Sequence, residues 1–229
     1  MSIHAELLGH FGGDLDVVNA ARVSMDKAST VFREQDAKLI EMLAANAHCS
    51  PFRHVYFKFR IRAPEFLARQ AYKHVVGISA TADAVVTNDS GWNEMSMRYV
   101  RMKEFYEPDQ WRCAPKEARQ GSATDRTFSP EEQLAATTIY KDALEHVKRA
   151  YLGLLEMGVA KEMARMICPL SVETQFIWTL SLQAVAHFVK LRHAPEAQWE
   201  IQELARQIEE QVKPLVPVSW AALMKSNCV

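Results

Sequence analysis

His54-Val55-Tyr56-Phe57-Lys58-Phe59-Arg60-Ile61-Arg62-Ala63 alternates apolar and polar side chains along its length. Val55, Phe57, Phe59 and Ile61 fall on one parity, and Tyr56, Lys58, Arg60 and Arg62 on the other. Successive side chains of an extended chain point to opposite faces, so the pattern predicts a strand with one face on a core and the other in water. Pro64 then suits the first position of a helix, where its missing N–H costs nothing. That helix is predicted to run through Phe66, Leu67, Gln70 and His74.

Outward from this strand, the chain reads as helices around a few strands. Ile3, Ala5 and Leu7 alternate with polar residues and predict a short first strand. Asp14 is placed to cap a helix reaching Arg22. Asp36 to Ala47 predicts a second helix with Leu39, Ile40 and Leu43 on one face. Residues 77–92 are rich in Gly, Ser, Thr, Asn and Asp and predict a polar loop, and 114–128 a second excursion. Ser129-Pro130-Glu131-Glu132 is a capping box with proline at the first helical position. The helix it opens carries Leu144, Val147, Tyr151, Leu154 and Leu155 and is stopped by Gly158. Two more helices are predicted, Thr174–Arg192, with Phe176, Leu180, Ala184, Phe188 and Leu191 at helical spacing, and Pro195–Val212. The pattern predicts an α+β fold in a single domain over residues 1–229, with no linker dividing it.

Bulk properties exclude several functions. The chain has 229 residues, 48% of them hydrophobic and 24% charged, enough for a real core. A formal net charge of -1 gives no global basic field for nucleic acid. No apolar stretch is long enough to span a bilayer, and the N-terminus does not read as a signal peptide. Cys49, Cys113, Cys168 and Cys228 form no C-x-x-C pair or zinc spacing and are expected as reduced thiols of a cytoplasmic protein. The sequence holds no G-x-S-x-G, P-loop or G-x-G-x-x-G. His187 and His193 do not lie one above the other on a helix, so no metal site is expected. Cys168, in the apolar stretch 166–170, reads as a buried structural thiol rather than a nucleophile.

What stands out is a set of cations and donors on separate segments: Gln70-Ala71-Tyr72-Lys73-His74, Trp92-Asn93-Glu94-Met95-Ser96-Met97-Arg98-Tyr99, Arg165, and Leu191-Arg192 followed by Ala197-Gln198-Trp199-Glu200-Ile201. Guanidinium forks grip phosphate through paired charge-assisted hydrogen bonds, so the set suits a small dianion. In order and wording these segments resemble the flavin-dependent thymidylate synthases. Gly12-Gly13-Asp14-Leu15, Ala20-Ala21-Arg22-Val23-Ser24, Pro169-Leu170 and Trp178-Thr179 extend the likeness over nearly the whole chain. Ser50-Pro51-Phe52-Arg53-His54 resembles the family's Thr-Pro-Phe-Glu-His turn.

The resemblance implies a central, mostly antiparallel sheet flanked by helices, and FAD-dependent conversion of dUMP to dTMP. Methylenetetrahydrofolate would give the carbon and NADPH the reducing equivalents. It assigns the dUMP contacts to Gln70, Lys73, Glu94, Met95, Ser96, Met97, Arg98, Arg165 and Arg192. Arg192 is the expected catalytic residue, stabilising negative charge that develops on the uracil. It assigns FAD contacts to Ser50, Lys73, His74, Val75, Glu94, Ser181, Gln183 and His187. It also implies a homotetramer with shared active sites.

Besides Ser50 and Arg53 in the turn at 50–54, the chain departs from the family at three points. Lys73-His74-Val75 stands for Arg-His-Arg, Ser181-Leu182-Gln183 for Asn-x-Arg, and the spacer to Ser96 is lengthened by the polar loop. Two expected positive charges are thereby lost, for which loop 77–92 or another basic residue is expected to compensate. The altered signature leaves open a related dUMP-modifying activity such as hydroxymethylation, or a nucleotide-binding protein without catalysis.

Overall fold

The computed structural model describes residues 3–74, 91–116 and 121–229. Val75 and most of the polar loop lie outside the described residues. The elements are β1 (His4–Phe11), α1 (Asp14–Arg22), α2 (Glu34–Ala45), β2 (Tyr56–Pro64), α3 (Glu65–Ala71), β3 (Gly91–Glu94), α4 (Pro130–Glu156), α5 (Lys161–Ala164), β4 (Glu173–Ser181), α6 (Leu182–Arg192), α7 (Trp199–Val212) and α8 (Pro217–Lys225). The four strands form one antiparallel sheet in the order β1-β2-β4-β3. The fold is α+β, with the antiparallel sheet flanked by helices.

The decisive strand is β2. Val55, Phe57, Phe59 and Ile61 are fully buried, while Lys58, Arg60 and Arg62 are exposed. Arg60 pairs with Glu6 at 3.2 Å and Arg62 with Glu104 at 2.5 Å, both in solvent. The buried face joins one continuous core with Ile3, Ile40, Phe52, Trp178, Phe188, Leu204 and Trp220. β1 accommodates an irregularity between Leu7 and Gly9, the bulge that lets Leu7 face Phe59 and Gly9 face Lys58.

Several sequence expectations are corrected. Residues 174–192 are not one helix: β4 runs to Ser181 and α6 follows. Phe176, Trp178 and Leu180 are all buried, a period of two that a helix would scatter around its circumference. Ser181 makes the switch, accepting a 3.1 Å bond from Ala184 N as the cap of α6. The helix predicted through His74 ends at Ala71, and Pro64 closes β2 instead of opening α3. Gly91 and Trp92, read as loop, belong to β3. Gly91 is required there, since a Cβ would meet Thr179 Cβ at 2.8 Å. Asp14 does not cap its own helix but the start of α8, where it accepts from Val218 N at 3.0 Å and Ser219 N at 2.8 Å. The Ser129 capping box forms as expected, and Gly158, at φ 84°, ends the chain reversal after α4. No helix among the described residues is long and apolar enough to cross a membrane.

Cys49 and Cys228, expected as free thiols, form a disulfide across 179 residues of sequence. They meet because the turn before β2 and the C-terminal tail both pack on α6, which sequence spacing does not reveal. Lys190 Nζ holds that tail through Ser226 O at 2.7 Å and Val229 O at 3.2 Å. A disulfide closing so long a loop constrains the unfolded chain, so Cys228→Ser is expected to lower stability by about 2–4 kcal/mol. Urea titration with and without reductant checks this: the native protein should shift and the variant should not.

Candidate functional site

A cleft of about 490 Å³ opens beside the end of β3. Glu94, Met95, Ser96, Met97 and Arg165 line it, together with Glu65, Arg69, Glu162 and Thr174. The fold assembles it in three steps. β3 adds to the sheet edge at β4, placing Glu94 opposite Phe176. The following turn is tied to the sheet by Met95 N donating to Gln175 O at 2.8 Å. The short α5 and the turn after it bring Arg165 across.

Two hydrogen bonds fix the Glu94 carboxylate. Thr174 Oγ1 donates at 2.7 Å and Trp92 Nε1 at 3.2 Å. Trp92 itself is stacked on Phe176 with ring centroids 3.9 Å apart, so the carboxylate is held by a packed element. Ser96 Oγ accepts from both Arg98 N and Arg98 Nε at 3.3 Å, and the exposed Arg98, its guanidinium 5.5 Å from the Tyr99 ring centroid, is not itself among the residues lining the cleft. Arg165 is exposed, and among the described residues its side chain is tethered by Nε donating to Glu162 O at 3.4 Å. Burial, and secondarily the Glu94 charge, push the Glu65 carboxyl above its ordinary value, against the pull of Arg69 and Arg165.

A second group gathers where α3 ends against α6. Arg192 Nη2 donates to Gln70 O at 3.4 Å, and Gln70 Nε2 donates to Gln198 Oε1 at 3.1 Å. Arg192 Nε is buried with no partner among the described residues, a donor that calls for an acceptor. His74 Nδ1 lies 3.3 Å from His187 Nδ1, which demands one N–H and one lone pair. Burial, then His187 and Arg192, hold His74 down at about 4. Burial, Arg192 and Lys190 lower His187 as well. Both imidazoles are therefore neutral donors and acceptors at physiological pH.

The remaining expected residues are spread out. Lys73 is exposed, its Nζ 6.0 Å from the Tyr72 ring centroid. Ser181 is buried as the α6 cap. Gln183 is buried and engaged at both ends, accepting from Arg53 Nε at 2.7 Å and donating to Cys228 O at 2.7 Å. Ser50 lines a separate cleft with His48, Met25 and Leu39. Val75 lies outside the described residues. Cys168 is not a deeply buried thiol: it lines the first cleft, donating to Met102 Sδ at 3.7 Å, and burial raises its pKa, which keeps it a poor nucleophile.

Sequence reasoning missed Glu65, Arg69, Glu162 and Thr174. Glu65 and Arg69 lie one helical turn apart on α3, a spacing that places two side chains on one face. Thr174 was hidden by reading β4 as helix.

The imidazole pair makes stability depend on pH. Folding lowers the His74 pKa from 6.5 to about 4, so the unfolded chain binds the proton more readily in that window. Stability is complete above pH 6.5 and falls as pH drops toward 4. Glu65, shifted upward, works in the opposite sense. Urea midpoints for His74→Asn should therefore fall less between pH 7 and 5 than those of the native protein. Parallel slopes would contradict the assignment.

The family model described as "Thymidylate synthase complementing protein" matches residues 6–218. A protein named flavin-dependent thymidylate synthase from Thermus thermophilus is 44% identical over 217 residues, covering 94% of this chain and 73% of the relative. One of the same name from Thermosipho africanus is 37% identical over 222 residues, covering 96% and 90%. The crystal structure of a UMP/dUMP methylase, PolB from Streptomyces cacaoi, bound with 5-Br dUMP superimposes with a TM-score of 0.83 at 30% identity, covering 99% of this chain and 96% of that one.

Proposed function

The chain belongs to the thymidylate synthase complementing protein family, the flavin-dependent thymidylate synthases, and from that premise we propose that it methylates dUMP to dTMP with FAD, methylenetetrahydrofolate and NADPH. The observation that carries the reading is the single cleft onto which Glu94, Met95, Ser96, Met97 and Arg165 converge from segments far apart in sequence. The methylase with a bromo-dUMP ligand supports the same nucleotide class.

In this reading Ser96, Arg98 and Arg165 take the nucleotide phosphate. The donors are one hydroxyl and two exposed guanidiniums, matched to a dianion. Glu94, fixed by Thr174 and Trp92, accepts from ribose or base N–H groups. Gln70 and Arg192 close the uracil end. Lys73, exposed just beyond the end of α3, is proposed to contact a phosphate of the nucleotide or of the flavin. Arg192 stabilises negative charge on the uracil as its 5-carbon attacks the one-carbon unit, which removes the need for a cysteine nucleophile.

The second group fits a flavin. Neutral His74 and His187, the buried Arg192 Nε and the Gln183–Arg53 pair present donors and positive charge to a carbonyl-rich, anionic ligand. Ser50, Ser181, Glu94 and Val75 complete the set of positions proposed for FAD. When bound and reduced by NADPH, the flavin supplies the hydride that completes the methyl group. The chain's residues orient it and keep the facing imidazoles uncharged.

We place the whole chain, residues 1–229, in one synthase domain, supported by a core that runs from Ile3 to Cys228. A homotetramer is proposed, with a second copy covering the apolar cleft rim at Met166 and Leu170, which are exposed here. A cytoplasmic location is proposed from the substrates, although a reducing cytosol would favour opening of the Cys49–Cys228 bridge. The test is NADPH oxidation by purified protein carrying FAD. Acceleration by dUMP supports the reading. A colourless protein that shows no flavin binding on addition of FAD would sink it.

A further inference from the structure

Positions 53 and 183 both depart from the family pattern, and the structure puts them in contact. Where the family turn reads Thr-Pro-Phe-Glu-His, this chain has Arg53, and where the family has arginine, it has Gln183. Across 130 residues of sequence, Arg53 Nε donates to Gln183 Oε1 at 2.7 Å. The guanidinium has thus changed sides of the contact, a neutral amide now faces it in place of a carboxylate, and one guanidinium is kept at the same junction.

The two partners are not equivalent in what they can offer a ligand. Gln183 is buried, and its amide nitrogen is spent on Cys228 O at 2.7 Å. Arg53 is exposed, and one nitrogen of its guanidinium is anchored. Among the described residues no carboxylate forms an ion pair with it. The anchor sets the plane of the fork and leaves its terminal nitrogens available, an arrangement suited to bidentate contact with a phosphate. His187 lies one turn further along α6 from Gln183, on the same face, and meets His74 there. Arg53 therefore sits at the edge of the surface assigned to the flavin, where two expected cations are absent.

We propose that Arg53, oriented by Gln183, is the cation that binds the phosphoryl groups of FAD in this chain. The proposal rests on the flavin reading given above. It makes Gln183 a positioning residue and not itself a phosphate ligand.

Flavin fluorescence titrations of the full chain with FAD and with riboflavin, which lacks phosphate, test it. Arg53→Gln should weaken FAD binding by about 10- to 100-fold, the effect of losing charge-assisted hydrogen bonds, and leave riboflavin binding unchanged. Arg53→Lys keeps the charge without the fork and should lose part of that affinity. The double exchange Arg53→Glu with Gln183→Arg returns a guanidinium to the junction and should recover FAD binding. Unchanged FAD affinity in Arg53→Gln would overturn the proposal. So would an equal loss for both flavins, which marks a distorted turn rather than a lost phosphate contact. If Arg53→Gln fails to fold, as judged by its thermal transition, the lysine variant and the double exchange decide. A native protein that binds neither flavin removes the flavin reading itself, and the proposal with it.

Discussion

Arg192→Ala is expected to lower the rate of dTMP formation by about 10²–10³-fold, the usual consequence of removing one preorganised charge-stabilising group. Arg192 is the last residue of α6, and Nη2 donates to Gln70 O at 3.4 Å while Nε is buried without a partner among the described residues. Its charge is felt locally, because it helps hold both His74 and His187 below their ordinary values. A cation so placed costs little reorganisation when negative charge grows on the uracil. The loss should fall mainly on kcat, since the phosphate contacts are proposed for other residues, Ser96, Arg98 and Arg165. Arg192→Lys should recover little, because a point charge on a flexible stem does not reproduce the planar fork. Single-turnover rates and the KM for dUMP check this. A variant within threefold of the native kcat would remove Arg192 from the chemistry.

The largest expected effect on stability is at a residue with no proposed part in the reaction. Arg22 lies in a segment that resembles the family's N-terminal pattern, and its guanidinium pairs with Asp36 at 2.5 Å. Asp36 is fully buried, and its other oxygen accepts from Arg33 N at 2.7 Å. Arg22 also donates to Ser29 Oγ, tying α1 to the loop that leads into α2. Arg22→Ala leaves a carboxylate buried and unpaired and should cost about 3–5 kcal/mol. Replacing both partners together, Arg22→Met with Asp36→Leu, should cost much less, because no charge is then stranded. Urea denaturation of the three variants measures the difference. Equal losses in the single and double variants would show that the pair matters for shape and not for charge.

β2 was legible because its alternation admits one interpretation, and the Ser129 box because capping chemistry is local. β4 was misread because Phe176, Leu180 and Ala184 sit at spacings that a helix also satisfies. Trp178 is the discriminating residue, since it would fall on the far side of a helix yet is buried. In the site, the order of the segments was readable and their pairing was not. His74 meets His187 across 113 residues and Arg53 meets Gln183 across 130, contacts created by the packing of α6. The disulfide was invisible for the same reason. Glu65 and Arg69 belong to a helix that was expected, but only the fold turns that face into the cleft.

The most direct measurement is the mass of the nucleotide recovered after incubating the protein with FAD, NADPH, methylenetetrahydrofolate and dUMP. A gain corresponding to one methyl group, dependent on flavin and abolished in Arg192→Ala, is the predicted result. Unchanged dUMP beside a bound, reducible flavin would contradict the account, and a hydroxymethyl gain would replace its product.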